Sequence, residues 1–230
     1  MTLDAALRLT EVLMALAFMH QSLEHIATTP RDRALFGLRL LCAAALLYAP
    51  LSLPALIALA LISLAMLNRF QGPYNGGSDK MSLLILWCLL LTRLMPTTFA
   101  QEVMFGYLAV QLTLSYFISG RVKLTNPEWR SGRALSDVFA FSAYPVSEAL
   151  RDWGSRTRVM WLMSWAVILF EILFPLALIH PYTLYAALAI AALFHLANAC
   201  LFGLNRFFWI WLVAYPSLIW FQGRIFSGLV

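Results

Sequence analysis

Charge is what this sequence has least of. Only 12% of its 230 residues are Asp, Glu, Lys or Arg, against about 25% in a typical soluble domain. No soluble domain, internal repeat or low-complexity tract relieves the shortage, so the chain has no way to cover itself in water. Cysteine is scarce as well. Cys42, Cys88 and Cys200 are odd in number and all lie inside apolar segments, so they are expected to be small buried hydrophobes without a disulfide framework. There is no Gly-rich phosphate loop, no catalytic-triad motif and no CxxC pair. Nor is there a nucleic-acid-binding motif, so the net charge of +5 reflects membrane topology and anionic lipid headgroups, with membrane lipid as the partner and no nucleic acid. The N-terminus lacks the charge pattern, short core and cleavage site of a signal peptide, and its first helix is expected to be retained.

What the sequence has in abundance is apolar length: 62% of the residues are hydrophobic and the mean hydropathy is +0.78. A helix needs roughly 20 apolar residues to cross about 30 Å of hydrocarbon. Eight candidate spans follow, approximately Leu3 to Ile26, Ala34 to Ala49, Pro54 to Leu67, Met81 to Leu94, Val103 to Ser119, Met160 to Ile179, Tyr182 to Phe202 and Phe207 to Trp220. The second, third and fourth are short for a full crossing. The fold class is all-α, a polytopic transmembrane helical bundle. Pro50-Leu51-Ser52-Leu53-Pro54 and His180-Pro181 break runs that would otherwise continue. Gln71 to Asp79 is rich in turn residues and is expected to be a re-entrant or surface loop. Arg121 to Arg158 is polar, and an amphipathic interfacial helix is expected within it at about Ala134 to Trp153. With eight crossings, 13 of the 16 Lys and Arg fall on one side, which the positive-inside rule makes cytoplasmic, with both termini outside.

Polar residues at membrane depth are costly and therefore draw attention. Three clusters carry them. In Tyr116-Phe117-Ile118-Ser119-Gly120-Arg121-Val122-Lys123, continued helix would place Tyr116, Gly120 and Lys123 on one face, at spacings of four and three. A desolvated lysine there is a candidate general base. The plain alternative is a lysine snorkelling at a helix end. Phe194-His195-Leu196-Ala197-Asn198 puts His195 and Asn198 on one face, either to bind a carbonyl or phenol or to bond a neighbouring helix. Phe170-Glu171-Ile172-Leu173-Phe174-Pro175 buries a carboxylate, expected to pair with His195 or an arginine, with Pro175 loosening the helix beyond it. Glu11, His20, Glu24 and His25 on the first span have metal-ligand residue types, but are read as interfacial groups and no metal is assigned.

These clusters, in this order, resemble the membrane part of vitamin K-dependent gamma-glutamyl carboxylases and of their bacterial relatives, the HTTM (horizontally transferred transmembrane) proteins. The matching stretches are Tyr116 to Gly120 with Lys123-Leu124 and Trp129; Phe170-Glu171 with Pro175; and Phe194-His195 with Asn198, Leu201-Phe202, Phe207 and Pro216. Asn75-Gly76-Gly77-Ser78-Asp79 matches more weakly. The resemblance covers the chain from about Asn68 and implies one HTTM-like transmembrane domain over residues 1–230, in a bacterial inner membrane. It implies that Lys123 is the base that engages a quinone/hydroquinone cofactor, with Tyr116, Gly120, Trp129, Glu171, His195 and Asn198 around the ligand. Two departures argue against glutamate carboxylation: no histidine stands in Asn75 to Ser78, and the carboxylases' C-terminal extramembrane domain is not expected. The alternatives are a non-catalytic accessory subunit of a larger electron-transfer or photosynthetic membrane complex, with partner membrane subunits, or a protein of peptide-toxin maturation or immunity.

Overall fold

Proline and a few capping residues set where the helices begin and end. The computed structural model describes residues 1–69, 76–142 and 148–226, and among these the regular structure is entirely helical. The long helices are α1 (Leu3–Thr28), α2 (Arg33–Leu46), α3 (Ser52–Arg69), α4 (Gly77–Leu94) and α5 (Thr98–Thr125). Short α6 (Pro127–Arg130), α7 (Arg133–Phe141) and α8 (Glu148–Arg151) follow, then α9 (Thr157–Leu173), α10 (Pro181–Phe202) and α11 (Asn205–Ile225). Thr2 caps α1 by accepting the Ala5 N–H, as an N-cap hydroxyl does. His180 caps α10 the same way through Tyr182 N–H, with Pro181 at the first position, where its missing donor costs nothing. Pro50 lies in a 3-10 turn, Ala49–Leu51, ahead of α3. At the other proline break, α9 gives way after Leu173 to a 3-10 segment, Phe174–Ile179, around Pro175, the loosening expected there.

The helices separate into two compact units, Met1–Ala109 with Arg206–Ile225, and Val110–Asn205 with Phe226 among the described residues. In the first, α1 packs on α2, α2 on α3 and α3 on α4. Glu11, fully buried, ties α1 to α4: it takes Arg8 Nη1 at 3.1 Å and Arg93 Nε at 2.7 Å. Arg8 reaches on to the carbonyl of Leu46 at 2.9 Å and to that of Leu47, satisfying carbonyls that the end of α2 leaves open. In the second unit α6 and α7 pack on α9. A core of Leu135, Phe139, Met160 and Phe202 forms there, with Phe139 and Phe202 edge to face at 5.0 Å, a favoured aromatic geometry.

Among the described residues, four helical segments are long and apolar enough to cross a membrane: Ala49–Asn68, Thr98–Thr125, Thr157–Ile179 and Pro181–Phe202. α2, with 14 residues, falls short of that length, while α1, α4 and α11 carry charges that lower their hydropathy. Three local expectations need correction. The helix expected at Ala134 to Trp153 is not continuous. α7 stops at Phe141, Ser142 turns out of helical geometry at φ −56°, ψ 129°, and α8 and a 3-10 turn, Asp152–Ser155, come later; Pro145 lies outside the described residues. The turn-rich stretch ends sooner than its composition suggests, since α4 begins at Gly77 and takes Ser78 and Asp79 into its first turn; Gln71 to Asn75 lie outside the described residues. Cys88 is buried, but Cys42 is only half-buried and Cys200 is exposed. A thiol is apolar enough to lie on an outward helix face among other apolar side chains.

Candidate functional site

The candidate residues gather in the second unit because α5 runs unbroken to Thr125. Tyr116, Gly120 and Lys123 therefore do share a face. Tyr116 and Gly120 are buried and Lys123 is half-buried. Glycine in mid-helix costs about 1 kcal/mol relative to alanine, and its value here is steric. A Cβ at Gly120 would lie 2.8 Å from both the backbone N and Cγ1 of Ile172 and 2.9 Å from Glu171 Cβ. The absence of a side chain is what lets α5 touch the backbone of α9 at this level.

One helical step on, Lys123 Nζ donates to both oxygens of Glu171, at 2.7 Å and 2.6 Å. The lysine side chain is 18% exposed and the glutamate 5%, so the pair is largely out of solvent, where charge-assisted bonds are short and strong. Nζ also stands 5.2 Å from the centroid of the Trp129 ring, within cation–π range. Trp129 is held in place from two sides. Its carbonyl accepts Ser164 Oγ–H, and the next carbonyl, Arg130, accepts Trp165 Nε1–H at 3.0 Å. Local sequence makes this possible: Asn126 caps α6 through Glu128 N–H, with Pro127 at its first position. Gly132 then turns the chain at φ +82°, a left-handed conformation that glycine adopts without penalty.

A second pair lies two turns back on α5, about 10 Å along the axis at 1.5 Å per residue. Tyr116 Oη and His195 Nε2 are 3.0 Å apart, with donor and acceptor roles set by the imidazole tautomer. The tyrosine ring stacks on Phe174 at 4.2 Å and meets Phe170 edge-on at 5.9 Å. The two polar pairs thus flank Phe170 and Phe174, which come from either side of Glu171.

Glu171 is paired, but with neither expected partner: Lys123 takes it, while His195 goes to Tyr116. His195 and Asn198 stand three residues apart on unbroken α10, and His195 makes a bond to a neighbouring helix, through Tyr116. Asn198 is half-buried, its side chain bonds no other described residue, and its carbonyl accepts the Leu204 N–H at 3.2 Å at the end of α10. Phe170, Phe174, Ser164 and Ile172 escaped sequence reading. The only signal for the phenylalanines was their flanking of a carboxylate at membrane depth. On α1, Glu11 is taken by arginines, and Arg206 lies 3.6 Å from Glu24 and 2.8 Å from His25 Nε2. His20 reaches Glu24 only at 3.9 Å. Among the described residues no group of three His, Cys, Asp or Glu is placed to hold a metal.

Both pairs are within direct hydrogen-bond distance, Lys123 with Glu171 at 2.6 Å and Tyr116 with His195 at 3.0 Å, so neither needs a bridging water. Comparison with known proteins gives no match among curated proteins or solved structures. The HTTM domain family matches residues 97–222, a stretch that begins just before α5, stops within α11 and contains all seven candidate residues, while Asn75 to Asp79 lie outside it. With that match over more than half its length, the chain belongs to the HTTM domain family.

Proposed function

We propose that this integral membrane protein is a quinone/hydroquinone-dependent enzyme in which Lys123 is the base and Glu171 its proton partner. The observation that supports the reading is the Lys123–Glu171 contact at 2.6 Å beside the Trp129 face. The residues fit such a group in chemical type: two proton-sharing pairs suit ring hydroxyls, and Phe170, Phe174 and Trp129 offer aromatic faces. A hydroquinone supplies acidic phenol protons and an electron-rich ring open to oxygenation. Lys123 and Glu171 exist as ammonium with carboxylate or as amine with carboxylic acid, and one proton transfer interconverts the two forms. In the second form Lys123 has the lone pair that general-base catalysis needs. Glu171 then holds the amine in direction, and Trp129 favours the ammonium produced when a phenolic proton arrives. Tyr116 and His195 would bond a second ring oxygen.

The test is oxygen uptake driven by a soluble hydroquinone, measured on purified protein. Lys123→Ala is expected to abolish it with folding retained, and a variant as active as wild type would end the proposal. Eight crossings by the eight long helices belong to the same reading, and reporter fusions in successive loops measure them. A non-catalytic accessory subunit is the second reading. It is favoured by α10, whose apolar window is only 22% buried and which turns Tyr185, Ile190, Leu193 and Leu196 outward. A protein that runs alone in mild detergent, with no co-purifying membrane subunit, would remove that reading.

A further inference from the structure

The first unit contains a polar centre built around Arg39, which sits within α2 and is 4% exposed. Arg39 Nη2 donates to Gln21 Oε1 at 3.0 Å, and the guanidinium lies 4.0 Å over the Phe18 ring. Two donors remain unused. Arg39 Nε–H and the Nε2 amide of Gln21, a residue itself 4% exposed, reach no acceptor. Several other partly buried cations among the described residues have carboxylates in contact: Arg8 and Arg93 share Glu11, Lys123 has Glu171 and Arg206 has Glu24. Among the described residues no carboxylate lies within 4.0 Å of Arg39. A buried guanidinium without a counter-charge in contact, beside a buried amide without an acceptor, is an expensive arrangement unless something completes it.

The space for that group is present. Arg39 and Gln21 line a cavity of about 60 Å³ together with Ser63, Ser82, Asp79 and Arg206, room for several waters or one small headgroup. Asp79 borders the cavity and attracts both Arg39 and Arg206 through space, but it lies beyond ion-pair distance of Arg39, which leaves Arg39 Nε–H open to an anion in direct contact. The place in the fold indicates the source. The lining comes from the C-terminal halves of α1 and α3, the N-terminal halves of α2 and α4, and the start of α11. α3 belongs to a segment long and apolar enough to cross a membrane, and Ser63, Met66 and Leu67 stand toward its C-terminal end, the end nearer the headgroups.

We propose that Arg39 and Gln21 form a binding site for a phosphate-type oxyanion at headgroup depth, in a different unit from Lys123. The oxyanion oxygen accepts Arg39 Nε–H and Gln21 Nε2–H and supplies a counter-charge in direct contact, which Asp79 does not, as arginine does in phosphate recognition. The lipid phosphodiester and free phosphate share this chemistry. Thermal unfolding of the full chain in dodecyl maltoside, titrated with phosphatidylglycerol, inorganic phosphate or a neutral galactolipid, separates them, since a ligand of the folded state raises the midpoint saturably. Phosphatidylglycerol raising the midpoint without free phosphate identifies a lipid site, both raising it identifies a site open to the free anion, and either supports the proposal. Arg39→Leu is expected to weaken the affinity by about tenfold or more, the worth of a charged hydrogen bond. If that variant does not fold, Gln21→Leu, which keeps the guanidinium, reads the same loss. No midpoint shift beyond that of the galactolipid, or an affinity unchanged in the folded variant, overturns the site.

Discussion

Substituting one methyl group at Gly120 tests whether the approach of α5 to α9 builds the Lys123 site. In Gly120→Ala the added carbon falls 2.8 Å from Ile172 N and Cγ1 and 2.9 Å from Glu171 Cβ, where ordinary van der Waals contacts begin near 3.4 Å. The Ile172 side chain can rotate, but its backbone nitrogen cannot, so the helices must separate by several tenths of an ångström. Overpacking of this kind costs about 1–3 kcal/mol, and the better helix propensity of alanine returns up to about 1 kcal/mol. With the full propensity gain the expected net loss is up to about 2 kcal/mol, which leaves the variant about 1–3 kcal/mol below a glycine-to-alanine change without a clash, together with a stretched Lys123–Glu171 contact and reduced oxygen uptake. Reversible unfolding in mixed micelles measures the first quantity. Gly37→Ala on α2 is the internal control, because a Cβ there meets nothing within 4 Å; it should be neutral or gain up to about 1 kcal/mol. If Gly120→Ala proves as stable as Gly37→Ala, backbone contact between α5 and α9 is refuted.

Further substitutions examine the other contacts, each by the same unfolding measurement. Gly132→Ala places a Cβ 2.7 Å from Trp161 N at φ +82°, and should cost about 2 kcal/mol or more through left-handed strain and the clash together. Glu11→Ala strands Arg8 and Arg93 and is expected to cost about 3–5 kcal/mol, as loss of one member of a buried ion pair does, with Glu11→Gln retaining part of the stability. Removing Lys123 or Glu171 singly should destabilise more than replacing both by methionine, since two apolar groups leave no charge uncompensated; strict additivity in that double-mutant cycle would deny their coupling. Tyr116→Phe keeps the stacking on Phe174 and loses the His195 bond. A cost near 1 kcal/mol is expected, and a loss several times larger would mean that the hydroxyl does more than join two helices.

Much of the helical layout was legible because it depends on averages. The apolar run bounded by His180-Pro181 and Gly203 leaves little choice, and α10 occupies Pro181–Phe202 against an expectation of Tyr182 to Phe202. The common face of Tyr116, Gly120 and Lys123 was also legible, since 3.6-residue periodicity is local and needs only that the helix continue.

The pairings were not legible, because they depend on how each helix is rotated and how far it slides against its neighbours. Lys123 and Glu171 are 48 residues apart, and hydropathy has no term that selects lysine over His195 or an arginine as the partner of a buried carboxylate. The same holds for Glu11 and Arg93, separated by 82 residues. It holds too for Arg39, which enters the sequence reading only as one of the 13 basic residues counted on one side, with nothing to indicate Gln21 or the cavity beside it.

By itself the sequence determined that the chain is helical and belongs in a membrane, since so few charges leave no other way to solvate 62% hydrophobic residues, and it determined that Tyr116, Gly120 and Lys123 share one helix face. Tertiary structure alone decided that Lys123 meets Glu171, that Tyr116 meets His195 and that Arg39 is left with an unused donor. Composition and periodicity act within one helix, whereas a hydrogen bond between helices requires two backbones to be in register to within about an ångström, and only packing sets that.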